Sequence, residues 1–192
     1  MAVVCDRHDL CAIGATGAIP SGRARGVVSS VHMRWLLAVV LLVFGSAHAG
    51  AADATQGFLA QAVAVNKFQL AASQLALRKT QSTVVHNFAH QMVLDYSVAV
   101  MKLRQTAADA KLPLHDALDP RHKALLDTLT RTAPGKTLSR AYFEAEEKAL
   151  RDDTAIFRAY AKSGDNERIR IYAQEMVPVM QGELEQLGKL RK

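Results

Sequence analysis

The stretch Val85–Leu103, VHNFAHQMVLDYSVAVMKL, constrains the fold more than any other part of the chain. Val85, Phe88, Met92, Tyr96, Ala99 and Leu103 recur at steps of three and four. Such residues share one stripe of a 3.6-residue helix. His86, Asn87 and His90 fall away from that stripe. A helix with one apolar face is not stable alone in water and has to bury that face against partner helices.

The flanking sequence supplies the partners. A first helix is predicted from about Thr55 to Lys79, capped by Asp53 or Thr55, with Phe58, Ala62, Val65, Phe68, Ala72 and Leu75 as its stripe. Thr80-Gln81-Ser82 interrupts the pattern, and Ser82 or Thr83 can cap a second helix running to about Lys111. A connection this short makes the two helices antiparallel neighbours. After a connector over Leu112–Leu118, Asp119-Pro120 reads as an N-cap followed by proline at the first helical position. That opens a short helix to about Thr130, with Leu125, Leu126 and Leu129 facing inward.

Beyond the turn signal Pro134-Gly135, a third long helix is predicted from about Leu138 to Lys162. Phe143, Leu150 and Phe157 recur in it every seven residues. Gly164 suits a left-handed C-terminal position. Asp165 or Asn166 then caps a fourth long helix to about Leu190, with Ile169, Tyr172, Met176, Met180, Leu184 and Leu187 in phase. Pro178 lies inside it, and a kink without a break is expected because the stripe continues across the proline. The predicted fold is therefore all-α. It is a ferritin-like four-helix bundle with a short extra helix in the crossover between helices two and three.

Hydrophobic residues make up 49% of the 192, enough for a core. Met33-Arg34, the apolar run Trp35–Phe44 and Ala47-His48-Ala49 form a basic region, a short apolar region and a small-x-small signal. Residues 33–49 are thus expected to be a cleavable signal peptide, cut after Ala49, with the mature chain exported to the periplasm. Residues 1–32 lack periodicity and read as unstructured, upstream of a true start at Met33. Both cysteines, Cys5 and Cys11, precede the leader, so residues 50–192 contain no thiol for a disulfide, a nucleophile or a thiolate metal site. The net charge is +6, of which four Arg and two Asp before Gly50 account for +2. The remaining +4 is interleaved with acidic residues. That excludes a nucleic-acid footprint and leaves room only for weak contact with an anionic membrane surface. The apolar run in the leader is too short to span a bilayer, and no transmembrane helix is expected in the mature part.

The sequence offers no complete catalytic constellation. There is no Glu-x-x-His, so a di-iron centre of the usual bundle type is not expected. His86 and His90, four apart, either form a surface metal pair or are simply solvated. Asp95, read as lying on the inner half of its helix, and Tyr96 form either a structural polar pair or a variant ligand position. Glu175 and Glu183, about two turns apart, could join Asp95 around a divalent metal or iron. Otherwise no cofactor is expected. Glu144, Glu146, Glu147, Asp152 and Asp153 read most simply as a solvated acidic face.

Val85–Tyr96, VHNFAHQMVLDY, resembles the Phe-Ala-x-x-Met-Val-x-Asp-His core of the exported bacterial proteins of domain-of-unknown-function family 4142. Asp119–Leu129 resembles the family's short crossover helix, Ala141-Tyr142 the start of its third helix, and Tyr172–Leu184, with Val177-Pro178, its last helix. The resemblance implies a ferritin-like fold and an envelope location, and no established activity. It also implies three histidine positions for a polar or metal site. These fall here on Tyr96, Leu150 and Glu183, so only the neighbouring Asp95 carries over. The expected role is a non-catalytic envelope or stress-related module, binding an unknown envelope protein or itself. A metal-binding or metal-storage bundle with a carboxylate-rich, non-standard site is the alternative.

Overall fold

A computed structural model of the chain describes residues 47–191. Five α-helices make up its regular structure: α1 (Ala47–Lys79), α2 (Thr83–Asp109), α3 (Pro120–Arg131), α4 (Lys136–Ser163) and α5 (Glu167–Leu190). There is no strand among the described residues. Residues 1–32, and the expected leader up to Ser46, lie outside them. Ala47–Ala49, the expected cleavage signal, forms the start of α1.

The helix boundaries follow local chemistry. Ser82 accepts a hydrogen bond from the Val85 N–H at the start of α2. Asp119 does the same for His122 at the start of α3, with Pro120 in the first turn. Asn166, not Asp165, caps α5 through the Ile169 N–H. Each cap satisfies a backbone donor that the helix itself leaves free. α5 continues unbroken through Pro178.

Three details differ from the sequence reading. α1 begins at Ala47, so Asp53 and Thr55 are interior residues and not caps. Thr55 is buried and its hydroxyl pairs with the Tyr160 hydroxyl at 2.8 Å. α2 stops at Asp109, and Lys111 takes the left-handed conformation there with φ 57°. Gly164 has an extended backbone, φ −64° and ψ 138°, so left-handed freedom is not its role. A Cβ at Gly164 would run into the Tyr160 ring, and close approach is what requires glycine.

Cross-helix contacts fix the directions of the long helices. Thr55 with Tyr160 and Ser73 with Tyr142 make α1 and α4 antiparallel. Tyr96 with Glu183 and Lys102 with Glu175 do the same for α2 and α5. Ring contact between Phe157 and Tyr172, and the Gln174 bond to the Ala161 carbonyl, set α4 against α5. α1 packs on α2 and α4, and α5 packs on α2 and α4, while α3 lies on α1 and α4. The result is a helical bundle.

The predicted stripes of α1 and α2 are buried throughout, as are Phe143, Leu150 and Phe157 on α4 and Ile169, Tyr172, Met176, Met180 and Leu187 on α5. Leu184 is only half-buried, and Glu183 takes the inward position beside it. On α3, Leu129 is buried and Leu125 and Leu126 are half-buried. Among the described residues no helix is long and apolar enough to cross a membrane.

Phe88 packs edge-on against Tyr142 and Phe143, joining α2 to α4. Phe88→Ala should therefore lower unfolding free energy by about 3–5 kcal/mol. Leu94→Ala, at a half-exposed position on the same helix, should change it by less than about 0.5 kcal/mol. Urea denaturation of both variants measures the contrast.

Candidate functional site

The core carries polar side chains that the apolar stripes alone would not require. α1 contributes Asn66, Gln69 and Ser73, spaced three and four apart so that they share a face. α2 contributes Tyr96, α4 contributes Tyr142, Glu146 and Asp153, and α5 contributes Tyr172 and Glu183. Tyr142 and Ser73 pair at 2.9 Å, and Asn66 donates to the Tyr172 hydroxyl at 3.1 Å. Tyr96 donates to Glu183 Oε2 at 3.0 Å. The remaining oxygen of Glu183, both oxygens of Glu146 and both amide atoms of Gln69 are buried and make no well-formed hydrogen bond, although the Gln69 amide lies against the Glu146 carboxyl.

Helical register brings four of these groups into one layer. Gln69 lies one turn before Ser73 and Glu146 one turn after Tyr142, on antiparallel helices joined by the Ser73–Tyr142 bond. Going from Phe157 back to Glu146 and from Tyr172 forward to Glu183 covers three turns on each of two antiparallel helices that touch at Phe157 and Tyr172. Glu146 and Glu183 thus meet at the same level, with Gln69 from α1 and Tyr96 from α2.

The electrostatics follow from that layer. Burial pushes the Glu146 carboxyl well above the ordinary carboxylate range, and the charges of Glu183 and Asp153 push it further, while the Gln69 amide pulls it back. Burial raises Glu183 from 4.5 to about 8, with the Tyr96 hydrogen bond opposing and the Asp95 charge adding to the rise. Burial also holds the Tyr96 phenol well above 10, reinforced by Glu183, Glu146 and Asp153.

A second cluster joins α3 to α4. His122 is fully buried, with its Nδ1 2.6 Å from Asp119 and its Nε2 3.0 Å from Asp153. Arg121 donates to the same buried Asp153 and, at 3.5 Å, to the half-buried Asp152. Phe68 of α1 packs against the imidazole with ring centroids 5.0 Å apart. Burial pushes the Asp119 carboxyl up, but the His122 backbone and ring bonds and the nearby positive charge outweigh it and hold it below its ordinary value. This cluster has no hydroxyl or thiol in position for nucleophilic chemistry. It pins α3 over the seam between α1 and α4.

The residues singled out from sequence are dispersed. Asp95 is half-buried and accepts both its bonds, at 2.9 Å, from Gln91 on its own helix, so it does not occupy the inner side expected of it. Glu175 is exposed and pairs with Lys102 at 2.5 Å. Only Glu183 and Tyr96 lie in the core. His86 and His90 are both exposed, in keeping with their place off the stripe. Among the described residues no three His, Cys, Asp or Glu side chains converge as a metal-binding group.

The solvated acidic face needs a larger correction. Glu144 and the neighbouring Glu147 and Asp152 do reach solvent, but Glu146 and Asp153 are fully buried. Their phase reveals why. Each lies three residues after a member of the Phe143, Leu150, Phe157 series, which is the second core position of a seven-residue repeat. His122 was passed over as well, although it stands seven residues before the buried Leu129.

Both core carboxyls bind protons more tightly folded than unfolded, so the sign of their linkage is set. Their contribution to stability is fully present below the unfolded value near 4.5 and is lost as pH rises through the folded value of Glu183, about 8. Stability of the chain should fall from pH 5 to pH 9, and Glu183→Gln should flatten that fall and gain a few kcal/mol at pH 9. Thermal melts of both proteins across this range read the effect. His122→Ala should cost about 3–5 kcal/mol in urea denaturation, because it strips one partner from a buried carboxylate.

Comparison with curated proteins and with solved structures yields no match. The model of the family described as Domain of unknown function (DUF4142) matches residues 44–190, which takes in all five described helices and both polar clusters. The chain belongs to that family.

Proposed function

We propose that the chain is an exported, periplasmic four-helix bundle of ferritin-like arrangement, with a non-catalytic envelope or stress-related role as an interaction module. The observation that carries the non-catalytic reading is the sealing of the core acids. A general acid or base has to come within hydrogen-bonding reach of its substrate. Glu146 is 0% exposed and Glu183 is 5% exposed. The surface clefts are lined by other groups, such as Lys67, Arg104 and Asp116 between α1 and α2.

The ferritin-like reading is supported by helix direction. α1 and α5 run one way, α2 and α4 the other, and the connection between α2 and α4 is the long one that carries α3. Export is supported by the leader-like sequence Met33–Ala49. The partner is an envelope protein or a second copy of the chain, with weak contact to an anionic membrane surface as a further element.

Expression of the full sequence in a Gram-negative host, followed by osmotic-shock fractionation and intact mass measurement, tests this reading. The expected product is a periplasmic chain beginning at Gly50. A cytoplasmic chain that retains Met33–Ala49 would sink it.

A further inference from the structure

We propose that Gln69, Tyr96, Glu146 and Glu183 form an interior site for one hard divalent cation of the Mn²⁺ class. The proposal goes beyond the non-catalytic role above and does not depend on export. Four helices each supply one oxygen-bearing side chain to a single layer of the core, as the Ser73–Tyr142 and Tyr96–Glu183 bonds and the Phe157–Tyr172 contact establish. The donors are two carboxyls, an amide oxygen and a phenol, an all-oxygen set that suits hard cations over Zn²⁺ or Cu²⁺.

Two carboxylates close together in a core would not by themselves make a site. The independent observation is Gln69. It is fully buried and comes from a third helix at the level of Glu146, its amide lies against the Glu146 carboxyl, and its oxygen has no hydrogen-bond partner. The Glu146 oxygens and Glu183 Oε1 likewise make no well-formed hydrogen bond, so these carboxylate oxygens and the amide oxygen share one level of the core. Buried polar atoms in native folds nearly always have partners, and a bound cation would satisfy the oxygens together while the Gln69 NH2 stays turned to Glu146. Charge supports the same occupant. Asp153 and Asp95 add negative potential to the layer, on top of the burial that disfavours the charged carboxyls, and two positive charges would offset both.

Binding exchanges protons for metal. Each carboxyl that ligates gives up its proton to solvent, and the cation takes its place with no change in oxidation state. Affinity therefore rises with pH. The set is distinct from the Asp95, Glu175 and Glu183 grouping, of which only Glu183 belongs to it. It is also distinct from the His86–His90 pair on the surface.

Because the layer is closed, the test loads metal during folding. The purified full chain is unfolded in urea with chelator, refolded at pH 8 with or without excess Mn²⁺, and passed through a desalting column before elemental analysis. About one Mn²⁺ per chain and a Tm higher by roughly 5 °C or more are expected. Both should be lost in Glu146→Gln and in Glu183→Gln, and affinity should fall at least about tenfold in Gln69→Met. The His86→Ala/His90→Ala double variant should behave as wild type. Circular dichroism confirms that each variant is folded before its metal content is read. Less than about a tenth of an equivalent in the folded wild type overturns the proposal. So does Mn²⁺ that survives Glu146→Gln or disappears with the histidine pair.

Discussion

Four tyrosine hydroxyls reach into this bundle, and each has to find a partner on another helix. A phenol without one would leave a polar atom stranded in a medium with no water. Tyr160 meets Thr55, Tyr142 meets Ser73, Tyr172 meets Asn66 and Tyr96 meets Glu183. Apolar stripes say which face of a helix goes inward, but they tolerate a slip of a turn along the axis. Hydrogen bonds do not, because a shift of one turn moves the partners about 5.4 Å apart. The tyrosines therefore set the axial register, and the register in turn places Glu146 level with Glu183.

That level is where the molecule departs from an ordinary core. Each of the four helices lining it could have offered a methyl or a ring, as α2, α4 and α5 do one turn away at Met92, Leu150 and Met180. They offer instead an amide, a phenol and two acids. Removing carboxyls from water is expensive when nothing compensates, and burial raises the proton affinity of both. The α3 cluster solves a similar problem in another way. Asp153 is just as buried as Glu146, but it accepts from Arg121 and lies in hydrogen-bond contact with His122, so polar partners accommodate it.

The architecture was legible from periodicity, since every position of the α1 and α2 stripes is buried where a 3.6-residue repeat puts it. Caps were legible for the same local reason, and Ser82, Asp119 and Asn166 all act as their chemistry predicts. The start of α1 was not, because an alanine-rich run reads equally well as the end of a leader. The core acids were missed because residue type was weighed above phase. Glu146 and Asp153 look like surface residues by composition and core residues by position. Asp95 shows the reverse error, since adjacency to a buried Tyr96 says little when successive residues on a helix point about 100° apart. Gln69 had no charge to draw attention, and only the arrangement of the neighbouring helices reveals what it faces.

The long crossover carrying α3 divides the bundle into two local halves. The α1–α2 hairpin and the α4–α5 hairpin each close through a connection of three residues and bury extensive surface within themselves. Joining them means closing a far longer loop, with a correspondingly larger entropic cost. The seams between hairpins, α1 against α4 and α2 against α5, are thus the natural planes of sub-global opening. α3 bridges one of them through Phe68, His122 and Asp153. The other is crossed by the Tyr96–Glu183 bond and by the exposed Lys102–Glu175 pair, with no third helix laid over it among the described residues. Parting α2 from α5 while both hairpins stay intact would open a route for water, protons or an ion to the acids at the centre.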